Sequence, residues 1–426
     1  MLCHQGLVTT GAGVSAIDAI ETFRQRLLRM EGGTDSVLDA ATEAPECALL
    51  QIYAAIFWLY AGSRAGNTEA LKWIARAEQS IAAGTDREKF WLEACRRWQD
   101  GDPEDTIERL EEITRRYPRD TVAAKACEYN YYITGQHFQA QRFLGHIERV
   151  AQANDRDPDV LAMHSFAHEL CGHYEEARRA AEKAIELRFA TPWAHHALSH
   201  IALMTNDLER GRREQEDFLS TWTNPGPSIH GHNAWHLALL RLQTGDRAGC
   251  HELYETLIWG HLPTSKGEQT DAISLLWRLE MAGEEIPPER WQALAQACAP
   301  VAAETISPFA AAHRGYAFAR TEQTDNLRRL RAAAADARTK GTPARRQVWR
   351  EAGQPTVEAS IAAGQANYRA VAAALLPAVD EIPRIGGSDA QGDLWREALA
   401  YALAKLGRVD ERRKVLTLFP GSRNES

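Results

Sequence analysis

Five short turn signals recur through the middle of this chain and restrict what it can fold into. They are Gly101-Asp102-Pro103, Gly135-Gln136-His137, Gly172-His173-Tyr174, Asn206-Asp207-Leu208 and Gly245-Asp246-Arg247, at intervals of 34, 37, 34 and 39 residues. Three residues past each signal stands a small or modest side chain: Thr106, Ala140, Ala177, Gly211 and Cys250. A turn residue followed by a small residue, repeated at this period, is what stacked helical hairpins require. Each hairpin has an apolar face it cannot bury alone, and neighbouring helices approach closely only where a side chain is small.

Apolar residues recur at three- and four-residue spacing along almost the whole chain, with no alternating strand pattern. Gly and Pro fall between the periodic segments, at Gly32-Gly33, Gly62, Asn224-Pro225-Gly226-Pro227, Pro287-Pro288, Pro383 and Gly386-Gly387. The expected fold is an all-α, tetratricopeptide-like α-solenoid: a right-handed superhelix of stacked antiparallel helix pairs, about twenty helices in all. We expect one continuous helical-repeat domain over residues 1–426, with divergent N-terminal helices over 1–85, the clearest repeats over 86–260 and divergent C-terminal helices over 261–426. After Gly260 the period degrades. Ser388 or Asp389 is expected to cap a helix starting near Ala390, and the tail Pro420–Ser426 to fray.

A net charge of −9 argues against general nucleic-acid binding, which needs a basic face. The basic stretch Arg328–Arg350 reads as a solvated helix face, since no aromatic residue is interleaved before Trp349. Seven scattered cysteines with no C-x-x-C fit a reducing compartment and neither a disulfide framework nor a thiolate zinc site. The segment Met1–Gly6 lacks the basic start and apolar run of a signal peptide, and the apolar run Ala48–Ala61 contains Gln51 and is too short to span a bilayer. The expected location is cytoplasmic, without a membrane partner.

Nine of the fifteen histidines lie between His164 and His236. Three pairs stand four residues apart: His164/His168, His196/His200 and His232/His236. On a helix that spacing puts two imidazoles on one face, one turn apart, a geometry able to chelate a transition metal. None of the pairs holds the internal glutamate of H-E-x-x-H, so the zinc-peptidase reading fails, and no G-x-S-x-G elbow supports a triad. With the turn residue as position 15 of a repeat, His196, His200 and His232 fall where first-helix side chains look into a concave groove. His236 is ambiguous by this count, and His164 and His168 fall where they pack between helices.

Three readings stay open for the groove-facing set. One is a pocket with Trp193, Trp235 and Trp277 as apolar walls around a small ligand or peptide. Another is a structural role, with histidines hydrogen-bonded to neighbouring helices. The third is a catalytic or metal site with Asp271 and His313 as further members. No cofactor is named by the sequence.

The segments Trp193–His200 (W-A-H-H-A-L-S-H), His232–Leu239 (H-N-A-W-H-L-A-L) and Gly386–Gln391 (G-G-S-D-A-Q) resemble the tetratricopeptide repeat protein 38 family. The H-N-x-W-H element before the Gly245-Asp246 turn is the most specific of these, and the similarity extends to Asp86–Lys89 and Tyr117–Asp120. The resemblance implies an all-helical repeat fold, with His196, His200, His232, Trp235, His236, Asp271, His313 and Asp393 at the family's polar motif positions. This chain departs from the family pattern at Trp91, Leu203 and Gly392, where members often carry a histidine, an acidic residue and an arginine. The function expected is binding: a concave, His/Trp-lined groove holding a small polar ligand or a peptide or protein segment through His196, His200, His232, Trp235, His236, Asp271 and His313. The alternative is an enzyme using the same cluster for acid–base or metal-assisted chemistry on a small metabolite.

Overall fold

A computed structural model describes residues 1–224 and 229–418. The Pro225-Gly226-Pro227 part of one expected turn and the Pro420–Ser426 tail lie outside the described residues. Among the described residues the protein is all-helical, with no strand beyond an isolated bridge between Leu2 and Val8. Consecutive helices pack in neighbouring pairs, the arrangement of an α-solenoid. No described helix is long and apolar enough to cross a membrane.

The chain forms two compact units, one of Met1–Thr134 with Gln139–Ala194, the other of Gly135–Phe138 with the chain from His195 onward. In the first, helix Ala48–Tyr60 is apolar almost all round and correspondingly buried, packed among Val14–Arg29, Ser36–Glu43, Arg64–Ser80 and Asp86–Gln99. Its one polar intruder, Gln51, donates from its amide to the Ala41 carbonyl at 2.5 Å. Helix Asp86–Gln99 starts at a capping box between Thr85 and Glu88. Its Arg87 and Trp91 both reach the Oδ2 of Asp120, at 3.0 and 2.8 Å, while Oδ1 of Asp120 accepts from the Ala123 N–H.

The hairpin turns share one geometry. Gly101, Gly172, Asn206 and Gly245 have positive φ, and the next residue's N–H reaches back to the carbonyl five residues earlier, as in Asp246 to Arg241 at 2.8 Å. The small residues Thr106, Ala177 and Cys250 beyond these turns are fully buried, and Gly211 sits at a tight contact. A Cβ at Gly211 would lie 2.3 Å from that of Ala202. Gly135 differs: its following N–H, on Gln136, is directed to the Gly387 carbonyl, and a Cβ there would lie 2.0 Å from the Pro383 carbonyl oxygen. That glycine permits a close backbone approach rather than closing a standard hairpin.

The same turn continues beyond Gly260. It recurs at Gly283, Glu322, Ala366 and Gly407, with the back-reaching bonds Glu284 to Leu279, Gln323 to Phe318, Asn367 to Ala362 and Arg408 to Leu403 at 2.8–3.0 Å. The repeat is hard to see in the sequence there for two reasons. Glutamate and alanine occupy the left-handed position at 322 and 366, and the small residue gives way to Leu327 and Val371. A left-handed non-glycine residue costs roughly 1–2 kcal/mol, partly offset by glycine's larger unfolded-state entropy. Glu322→Gly and Ala366→Gly are therefore each expected to stabilise by about 0.5–1 kcal/mol. Urea denaturation reads this as a higher midpoint at unchanged slope; a midpoint that falls would contradict it.

Helix Asp389–Lys405 begins at Ser388, whose N–H donates to the Gln391 side-chain oxygen at 3.1 Å. In the basic stretch, Arg328, Arg331 and Lys340 pair with Asp325, Glu358 and Asp336.

Candidate functional site

Three helices build the site: Pro192–Thr205, of which the part from His195 onward belongs to the second unit, Ile229–Gln243 and Lys266–Met281. The first ends at the Asn206 turn and the second just before Gly245. The third is anchored at its start by Glu268, whose carboxylate accepts from the N–H groups of Gly260, His261 and Leu262 at 2.6–3.0 Å. These anchors fix where Asp271 stands, one turn further on.

The two i, i+4 pairs meet face to face. Ring centroids of His196 lie 4.6 Å from His200, 5.2 Å from His232 and 4.8 Å from His236. His236 is 4.6 Å from His200 and 4.7 Å from His232. One ring nitrogen from each of His196, His232 and His236 lies within 4.8 Å of the others. Trp235 stacks on His232 at 5.1 Å with an interplanar angle of 13°, and meets His236 edge-on at 4.7 Å. The Nδ1–H of His232 donates to Oδ2 of Asp271 at 2.8 Å. That bond orients the ring and leaves its Nε2 lone pair available.

The cluster is interior. His196 is 3% exposed and His200, Trp235 and His236 are 0%, so these side chains do not line an open groove surface. His232 and Asp271 keep more exposure, 18% and 9% of their side chains, and form the edge nearest solvent. Both ring nitrogens of His236 and the indole nitrogen of Trp235 are buried and have no hydrogen-bond partner among the described residues. Burial, then the neighbouring imidazoles of His200, His232 and His196, hold the His236 pKa well below the ordinary histidine value, so its ring is neutral.

Other candidates lie elsewhere. His313 is buried on helix Pro308–Arg320; its Nδ1–H donates to the Phe309 carbonyl at 2.9 Å, and its ring contacts are Phe309 and Trp395. Asp393 is 1% exposed and pairs with Arg396 at 3.2 Å. Trp277 stacks on Tyr316 at 4.0 Å. Trp193 belongs to the first unit, with the Lys125 ammonium 3.4 Å above its ring. His164 and His168, also in the first unit, are half-buried, with their Nε2 atoms 3.0 Å apart.

Arg278 has no signature in the sequence. It lies two turns past Asp271, donates to Ser274, Glu397 and the Ala390 carbonyl, and sits 5.7 Å from the centre of the Trp235 ring. One turn further along the same helices, Leu203, Met204, Leu239, Gln243, Arg278 and Met281 line a cavity of about 370 Å³, walled on its other side by helix Asp389–Lys405. No protein-family model matches this chain.

Outside the cluster, buried imidazoles make the fold acid-sensitive. Burial lowers the pKa of His146 to about 4 and of His313 to about 3. Unfolded histidines take up a proton near 6.5, so below that pH the unfolded state binds protons that the folded state refuses. Stability is full above about pH 6.5 and falls as pH drops toward 4, by about 3 kcal/mol for His146 alone. His146→Leu is expected to flatten the pH dependence of the urea midpoint between 6.5 and 4; an unchanged slope would contradict a neutral buried ring.

Proposed function

We propose that this helical-repeat protein binds a divalent transition metal at His196, His232 and His236, with His200 in contact with two of these rings and Asp271 orienting His232. The convergence of two i, i+4 histidine pairs in a buried cluster is the observation that carries this reading. Nitrogens around a tetrahedral zinc at ~2.0–2.1 Å lie about 3.3 Å apart, so the ligand atoms, all within 4.8 Å of one another, need to close by at most roughly 1.5 Å, within the reach of imidazole rotation. Neutral imidazole is the form that ligates, and a metal would satisfy one of the two unmatched His236 ring nitrogens. The donor set, all nitrogen with a carboxylate behind it, suits zinc, copper, nickel or iron(II) rather than calcium or magnesium. The segments similar to the tetratricopeptide repeat protein 38 family supply all four imidazoles, and kinship with that family is part of the same proposal.

Calorimetric titration of metal-stripped protein with zinc tests this. One equivalent is expected to bind tightly, with the site lost in His196→Ala and retained in a His164→Ala/His168→Ala control. Absence of binding in the folded wild-type protein would remove the metal reading.

The cavity favours a second reading, the binding of a small organic ligand. Native mass spectrometry of freshly purified protein would then show an adduct that Ala400→Trp displaces by filling the cavity from its wall on helix Asp389–Lys405. Bare protein alone would count against it.

A further inference from the structure

Trp235 carries a feature that the metal reading leaves unexplained. Its indole N–H is buried and has no hydrogen-bond partner among the described residues, although the residue is wholly interior and packed on two of the proposed ligands. An indole nitrogen only donates, so what it lacks is an acceptor. Phenylalanine would supply an aromatic face to His232 without burying an unmatched donor.

Charge balance points the same way. A divalent ion among neutral imidazoles brings two positive charges into a buried site, and Asp271 returns one negative charge. Arg278 contributes no surplus, because Glu397 pairs with it at 2.7 Å. One positive charge is left uncompensated in the interior, which is costly unless a counter-charge accompanies it. Resting on the metal reading, we propose that the centre also takes a small monoanion, such as a carboxylate or an inorganic anion, that accepts the Trp235 indole N–H. Trp235 is then a ligand-binding residue as well as a wall of the cluster.

Cobalt(II) in place of zinc, with the visible d–d spectrum as readout, tests this on the full-length protein. Titration with azide and with acetate is expected to shift the bands saturably. Trp235→Phe should weaken azide at least tenfold, with azide titrated at saturating cobalt so that a change in metal affinity does not enter the comparison. Asp271→Asn, which raises the net charge of the site by one, should tighten azide about tenfold, and this variant decides the matter if Trp235→Phe does not fold. Hexanoate distinguishes the source: tighter binding than acetate means a carboxylate with an apolar body, and equal or weaker binding means a small free anion, either outcome supporting an anion site. Bound cobalt with no anion-induced shift, or a shift that Trp235→Phe and Asp271→Asn leave unaltered, overturns the anion site while the metal reading stands. Failure of the wild-type protein to bind cobalt or zinc overturns both.

Discussion

Replacing Asp120 with alanine is expected to destabilise the protein by about 3–5 kcal/mol, the scale of breaking a buried ion pair from one side. Asp120 is 0% exposed and its partner Arg87 is 3% exposed. Its carboxylate accepts from the Arg87 guanidinium and the Trp91 indole on one oxygen, and from the Ala123 N–H at the start of helix Thr121–Thr134 on the other. Removing it strands a buried cation, an indole donor and a helix-start N–H together. Because the three losses share one group, they do not add as independent terms. The charge is the largest of them. Asp120→Asn should recover part of the loss by accepting from Trp91 or Ala123 while still leaving Arg87 without a counter-charge. Urea denaturation of the two variants beside wild type is the check; a loss under about 1 kcal/mol in Asp120→Ala would mean that Arg87 finds solvent or another acceptor.

The second large effect separates binding from stability at His236. With zinc at a hundredfold excess over its dissociation constant, the wild-type protein should gain about 2.7 kcal/mol by mass action. His236→Leu should lose essentially all of that gain. In metal-free protein the same substitution should cost little or even stabilise, because it replaces two buried nitrogens that have no partner among the described residues by an apolar side chain of similar size. A core histidine with only a structural role behaves oppositely, losing stability without metal and showing no metal dependence. Thermal denaturation of both proteins, with and without zinc, distinguishes the two. An increment that persists in His236→Leu would place the metal elsewhere, with the His164/His168 pair and nearby Glu148 as the first place to look. A site that is costly when empty and stabilising when filled is the usual trade between function and stability.

The helical hairpins were legible in the sequence because they rest on local chemistry. Gly101, Gly172 and Gly245 are glycines at left-handed positions, and Gly211 stands where a neighbouring helix leaves no room for a Cβ. The signal faded at Glu322 and Ala366, where the same turn is held by backbone hydrogen bonds and surrounding packing despite the side chain. Gly135 misled in the other direction. It matches the period, but its conformation answers to Pro383 and Gly387, more than two hundred residues away in the chain.

The candidate site divides along the same line. Four-residue spacing alone placed His196 with His200 and His232 with His236, since a helix has no other way to arrange them. Asp271 was a candidate further member of the site, but nothing in the sequence paired it with His232; the register of a third helix brings the two within 2.8 Å. Repeat position led to an open groove for His196 and His200. Their burial depends on which helices cover that face, which periodicity does not encode. His313 shares the polar character of the others but turns to Phe309 and Trp395. Arg278, invisible in the sequence, became significant only once Trp235, Ser274, Glu397 and Ala390 were gathered around it. Local chemistry was enough for an all-helical repeat and for the face each histidine shares with its partner, because turns and helical spacing act over a few residues. That two such faces close on each other out of water came from the packing of separate helices, because burial and charge compensation depend on side chains that lie far apart in the chain.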